Sequence, residues 1–363
     1  MERAVRLDPS SAIHLFHLVE DAFFDGDSAR AWSLTQSYAR LAGTDPRSRA
    51  GQIAFALVFG DPAVRANATA ALDTIGTQVL ELATESFTTH PRALPVAEEI
   101  LRSISGRPDV GPWDGVGLFH VLILQGKLKA AREVGIDFSK VSGGLPRAYV
   151  VYIMYKYHEL AGEEAVSTTL LEEALAAAAP DTLAWLFEGA YAADRGRWDD
   201  HGAVIRRLHD AARGTITFGD SARGRILRGA AEALEGYGEW RRGRPEEAAL
   251  RLEKARGEVV SVDYPVIWNG VIRNWLASLF LEMDQPELAA RYYESLWAEH
   301  FSYYRDPYTA YEIGRLRERL GRKQEAIQAY EYVIVGLQNG DPEVRPRVDA
   351  ARRAITPLSG ADD

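Results

Sequence analysis

Cysteine is absent from the chain, which excludes disulfides, thiolate metal sites and a cysteine nucleophile in one step and fits a reducing compartment. Alternating β-branched runs are almost missing. The short exceptions, Val259-Val260-Ser261-Val262 and Thr215-Ile216-Thr217-Phe218, read as extended connections. No apolar run approaches the roughly 18 to 20 residues that cross a bilayer, and the opening Met1-Glu2-Arg3-Ala4-Val5-Arg6 is charged and lacks the apolar core of a secretory signal. A concentrated basic surface is also lacking. The net charge is −10, which argues against nucleic acid, because neutralising phosphates takes clustered Lys and Arg. We therefore expect a cytoplasmic chain with no membrane and no nucleic-acid partner.

What is present is helical in character. Ala, Leu, Glu and Arg dominate the 363 residues, while Pro and Gly cluster between helix-like stretches. A chain of this length makes either a few globular domains or one array of small stacked units. Self-similarity decides for the array. The clearest unit runs from Ala310-Tyr311-Glu312-Ile313-Gly314 through Leu320-Gly321-Arg322 to Glu325-Ala326-Ile327-Gln328-Ala329-Tyr330, two amphipathic helices joined at Gly321. Gly314 and Ala326 are small because the two helices cross there, and Tyr330 is expected to fill the groove to the next unit. Gly321 ends the first helix, where left-handed backbone angles are wanted.

The same grammar recurs upstream. Gly236, Ala248, Leu252 and Ala255 surround Gly243; Trp185, Gly189 and Ile205 surround Gly196; Ala289 and Tyr293 follow the turn Asp284-Gln285-Pro286. Further turns fall at Gly26, Gly60, Gly126 and Gly162, and a degenerate one near His90-Pro91. Gly126, Gly162 and Gly196 stand 36 and then 34 residues apart, and later intervals are longer. This pattern resembles the tetratricopeptide repeat family, whose helical hairpin is about 34 residues long. The resemblance implies an all-α fold, a right-handed superhelical solenoid of antiparallel helix hairpins. We expect roughly nine hairpins in one array over residues 1–363: the end of a truncated repeat in 1–10, degenerate repeats in 11–215, regular ones in 221–340, and a capping helix over 341–356, started by Asp341-Pro342-Glu343. The array resembles those at the C-termini of bacterial signalling proteins, which implies an effector domain encoded before Met1 or elsewhere.

Motifs that carry chemistry are missing. There is no phosphate-binding Gly-x-x-x-x-Gly-Lys-Ser/Thr, no Gly-x-Gly-x-x-Gly, no His-Glu-x-x-His and no Gly-x-Ser-x-Gly. The reading is of a non-catalytic protein without cofactor or metal. His14, His17, Glu20 and Asp21 form the nearest thing to a metal cluster, with three of them on one helix face, and a plain polar face explains it better. Asp199, Asp200, His201 and His209 form a weaker one, and His201 stands where a small residue belongs, a sign of a distorted hairpin. Gly-Asp-Ser-Ala-Arg occurs at both Gly26 and Gly219; a turn followed by an Asp or Ser helix cap accounts for both.

The resemblance also implies that first helices line a concave groove. The inward positions are Tyr149, Tyr152, Lys156 and Glu159 before Gly162, Tyr237 and Trp240 before Gly243, Asn274 and Ser278 before Asp284, and Tyr308, Tyr311, Arg315 and Glu318 before Gly321. Aromatics mixed with amide and cations suit capture of a peptide or protein segment. The set does not reproduce the Lys/Asn clamp with which co-chaperones of the family hold acidic chaperone tails, because Tyr152 with Lys156 and Asn274 with Ser278 fall in non-adjacent repeats. The expected function is therefore a protein-interaction scaffold, with the regulatory region of a kinase, cyclase or transcription regulator as the alternative. The dense aromatics Tyr292, Tyr293, Trp297, Phe301, Tyr303 and Tyr304 offer a surface for self-association.

Overall fold

A computed structural model describes residues 2–87, 90–109, 113–137, 145–160, 164–178, 181–182, 184–217, 219–259, 266–297 and 306–359. These residues are all-α, with no strand among them. They divide into two compact units, Met1–Ile136 with Tyr332–Val348, and Asp137–Glu331 with Asp349–Asp363. The Gly162 turn, Phe218, Val260-Ser261-Val262 and the aromatics Phe301, Tyr303 and Tyr304 lie outside the described residues.

The first unit begins with α1 (Glu2–Leu7), α2 (Ala12–Phe24), α3 (Ser28–Ala42), α4 (Pro46–Phe59), α5 (Pro62–Ala71) and α6 (Thr77–Phe87). It continues with α7 (Leu94–Ile104), α8 (Trp113–Leu124) and α9 (Leu128–Val134). Gly26 makes the α2–α3 turn with φ 71°, and Asp27 caps α3 by accepting the Arg30 amide at 2.9 Å. Asp220 does the same for Arg223 at 2.9 Å, so both Gly-Asp-Ser-Ala-Arg segments are caps. Gly60 breaks its helix by another route: φ is −63°, and a Cβ there would lie 2.2 Å from the Ala56 carbonyl oxygen. The expected His90-Pro91 break is a short 3₁₀ turn, Pro91–Ala93, that leads into α7. The core is aromatic, with the Phe87 ring 4.9 Å from Phe23 and 5.7 Å from Phe16.

The second unit holds α10 (Leu145–Leu160), α11 (Glu164–Ala177), α12 (Trp185–Asp194), α13 (Trp198–Thr217), α14 (Ser221–Arg241), α15 (Pro245–Glu258), α16 (Val266–Glu282), α17 (Pro286–Trp297) and α18 (Pro307–Arg319). The boundary between units falls within α19 (Lys323–Leu337) and α20 (Arg345–Ser359). Gly196, Gly243 and Gly321 all adopt positive φ at the turns, as does Asp284 at 56°. The helix crossing that the small residues imply is present: a Cβ on Gly314 would lie 2.7 Å from the Tyr330 ring, and one on Gly236 would lie 3.1 Å from Leu252. In each case the glycine seven before the turn receives the side chain nine after it. These are tetratricopeptide-like hairpins.

Several expectations are corrected. Tyr330, expected at the groove to the next unit, lies over Gly314 within its own hairpin and donates its hydroxyl to Glu318 at 2.7 Å. Thr215-Ile216-Thr217 is the end of α13, not an extended link; both threonine hydroxyls bond back to carbonyls four residues earlier, so the side chains are satisfied within the helix. That extension, with the 21-residue α14, takes up the long Gly196–Gly243 interval. His201 is buried, takes part in a 2.8 Å hydrogen bond with the Gly189 carbonyl, and fits because Gly238 opposite has no side chain. Tyr292 and Tyr293 are buried too. Tyr292 stacks on Phe280 with centroids 5.9 Å apart, and Tyr293 bonds Ser278 at 3.1 Å, so neither offers a surface to another copy. Asp341 does not cap α20, which starts four residues later; its carboxylate accepts the Lys129 amide of α9 at 2.7 Å.

Candidate functional site

The second unit contains a cavity of about 160 Å³ walled by alternate helices α10, α12, α14 and α16, the first helices of successive hairpins. Helical spacing explains the convergence. Tyr152, Tyr155 and Glu159 recur at i, i+3 and i+7 on α10, and Val271, Asn274 and Ser278 do so on α16, so each helix turns one stripe inward. Phe187 of α12 and Tyr237, Trp240 and Arg241 of α14 complete the wall.

One carboxylate organises this wall. Asp194, the last residue of α12, accepts the hydroxyl of Tyr155 at 2.6 Å and that of Tyr237 at 2.7 Å, and the Arg241 Nε lies 2.7 Å from the same carboxylate. Burial, with the Asp194 charge adding to it, holds both tyrosines well above the ordinary phenol range. They therefore stay protonated as donors and fix α10 and α14 to the end of α12. Tyr237 also packs on Trp275 with centroids 4.3 Å apart, a contact worth about 0.5–1.5 kcal/mol beyond its buried area. The Trp240 indole N–H donates to Glu282 at 2.7 Å.

Polar groups at the mouth are of two kinds. Lys156 lies 3.8 Å from Asp306, which is itself buried and caps α18 by accepting the amides of Tyr308 and Thr309. Glu159 and Asn274, in contrast, make no hydrogen bond or ion pair with any other described residue. Burial among the walls raises the Glu159 carboxyl above the usual carboxylate range, against the pull of Lys156. Glu159 is exposed at the mouth, where the concave wall withholds bulk water from most directions while solvent still screens its charge.

Seven of the twelve expected inward residues meet here, Tyr152, Lys156, Glu159, Tyr237, Trp240, Asn274 and Ser278; Glu318 does not, and instead accepts the Tyr330 hydroxyl. Tyr149 is one turn away, its ring stacked on Tyr152 at 6.4 Å. Tyr308, Tyr311 and Arg315 on α18 stand apart from the cavity: Tyr308 is buried, the Tyr311 ring lies 6.1 Å from Tyr330, and Arg315 pairs with Glu312 at 3.0 Å. Spacing from the turn located the inward stripe but not its width, and so missed Tyr155, Trp275 and Arg241, each adjacent to or one turn from a residue it found. Asp194 had no such signal, because it lies two residues before a turn, where a solvated carboxylate is ordinary.

Likeness to known proteins is faint. No family model matches the sequence, and no curated protein matches it. Among solved structures, one described as "Crystal structure of APC/C hetero-tetramer Cut9-Hcn1" matches with a TM-score of 0.38 and 13% identity, over 99% of this chain and 80% of that one. A "Circular tandem repeat protein with novel repeat topology and enhanced subunit contact surfaces" matches with a TM-score of 0.23 and 12% identity, over 95% of each chain. Likeness at these scores bears on neither partner nor chemistry.

Among the described residues no three His, Asp or Glu side chains stand together as a metal site. His17 instead pairs with Glu20 at 2.7 Å. No described helix is long and apolar enough to cross a membrane.

Proposed function

We propose that the chain is a non-catalytic scaffold that holds an extended peptide or protein segment against the aromatic wall of the second unit. The supporting observation is Asn274, whose amide makes no hydrogen bond with another described residue while it lines a cavity of tyrosine and tryptophan rings. A primary amide can donate to and accept from one peptide unit at once, and rigid rings bury area at little entropic cost. Two tyrosines of the wall, Tyr155 and Tyr237, are occupied as donors to Asp194, which suits a fixed binding surface better than proton transfer. The alternative occupant is a cognate effector domain of a bacterial signalling protein, as the sequence resemblance implies, held in a cytoplasmic complex by the same wall.

Trp240 and Trp275 provide the assay. Titration of the whole chain with an unbiased peptide library should change tryptophan emission for a subset of peptides. Asn274→Ala should weaken their binding by about tenfold, the loss of one or two buried hydrogen bonds. A library with no binding member would overturn the reading.

A further inference from the structure

The cavity has a preference in charge. Arg241 is neutralised by Asp194 at 2.7 Å, and Lys156 faces the buried Asp306 at 3.8 Å. Two carboxylates of the lining are left without a cationic partner within ion-pair distance: Glu159 makes no hydrogen bond or ion pair with a described residue, and Glu282 receives only the indole N–H of Trp240. With Asp194 and Asp306 paired to the two cations of the lining, Glu159 and Glu282 are its carboxylates without an ion-pair partner among the described residues. Six aromatic side chains help to line it, Tyr152, Tyr155, Phe187, Tyr237, Trp240 and Trp275, and aromatic rings attract cations through the ring quadrupole. The chain itself supplies an example, since the Arg241 guanidinium lies 5.5 Å from the Tyr237 ring centroid and 5.6 Å from that of Trp240. Size narrows the occupant further. At about 160 Å³ the space falls below the roughly 300–1,000 Å³ of sites that enclose a cofactor or drug-sized ligand, and it suits one long side chain.

We propose that this cavity receives an arginine or lysine side chain of the bound segment, with the cation between the aromatic rings and the Glu159 and Glu282 carboxylates. The proposal rests on the groove reading above and names the residue that anchors it. Burial raises the Glu159 carboxyl even against the pull of Lys156 and Arg241, so a further cation at ion-pair distance would favour its charged form.

The test uses the whole chain and two sets of probes followed by tryptophan emission and calorimetry. The first set is N-acetyl-arginine amide, N-acetyl-lysine amide and the neutral isostere N-acetyl-citrulline amide. The second is a groove-binding peptide synthesised with Arg, Lys, citrulline or Glu at each position in turn. We expect a cationic amide to bind and citrulline not to, and one peptide position to lose about tenfold or more in affinity when Arg becomes citrulline. Glu159→Gln should abolish that difference. Glu159 is exposed and makes no hydrogen bond with a described residue, so the variant should melt with the parent, which circular dichroism would check. Peptides that bind equally well with citrulline, or better with Glu, would overturn the cation pocket and leave the groove standing. Absence of any binding peptide would overturn the groove, and a citrulline-discriminating, Glu159-dependent response to the single amino-acid amides would then uphold the pocket alone.

Discussion

The carboxylate of Asp341 accepts the backbone N–H of Lys129 at 2.7 Å across 212 residues of sequence. The first turn of α9 has no cap of its own, since Lys127 makes no side-chain hydrogen bond there, and a carboxylate from the far end of the chain supplies it. The Asp341 amide also donates to the Gly126 carbonyl at 2.8 Å, and Val344 packs where a Cβ on Gly126 would have to go. Asp341→Ala should lower the stability of the first unit by about 1 kcal/mol, the usual worth of a cap. Asp341→Asn should cost less. Urea unfolding, with hydrogen exchange at the Lys129 amide, would check both.

Asp194 is the acceptor on which α10, α12 and α14 meet. Asp194→Ala leaves two buried tyrosine hydroxyls and Arg241 without it. Because Asp194 and Arg241 are partly open to solvent, we expect a loss of about 1–3 kcal/mol, from the hydroxyls more than from the ion pair. Chemical denaturation followed by Trp240 and Trp275 emission would measure it.

Gly314→Ala would gain about 1 kcal/mol of helix propensity, yet it should destabilise. The new Cβ would lie 2.7 Å from the buried Tyr330 ring, and overpacking of this kind costs about 1–3 kcal/mol. In a Tyr330→Ala background the same change should become neutral or favourable. A double-mutant cycle that showed no coupling would contradict the helix crossing described above.

His90 makes stability depend on pH. Burial, reinforced by Arg92, lowers its imidazole from 6.5 to about 4 in the folded chain. Between these values the unfolded chain binds more protons, so the contribution is fully present above about 6.5 and is lost as the pH falls towards 4. At pH 5 the loss should be about 1–2 kcal/mol. His201, lowered chiefly by burial, adds in the same direction. His90→Asn keeps an acceptor for the Arg92 amide, which His90 Nδ1 accepts at 3.1 Å, and should flatten the difference in urea midpoint between pH 7 and pH 5.

Much of this was legible in sequence because hairpins are local objects. Gly26, Gly196, Gly243 and Gly321 declare their turns through backbone angles that other residues avoid. Asp27 and Asp220 declare helix starts, and Gly314 with Tyr330, or Gly236 with Leu252, declare a crossing within one hairpin. The same local rules failed at Thr215-Ile216-Thr217, where β-branched residues form the last turn of a helix and the two threonine hydroxyls bond back to its carbonyls.

The sequence by itself determined that the chain is helical, hairpin by hairpin, and that aromatic and polar residues share the inward stripes of its first helices. Only the tertiary structure decided which stripes meet. Asp194 accepts hydroxyls from residues 39 and 43 positions away, Tyr237 packs on Trp275, and Asp341 caps α9. Glu159 is left beside that network without a partner among the described residues. The reason is physical: turns and caps depend on interactions over a few residues, whereas a cavity exists only where separate helices stack, and sequence spacing carries no measure of that approach.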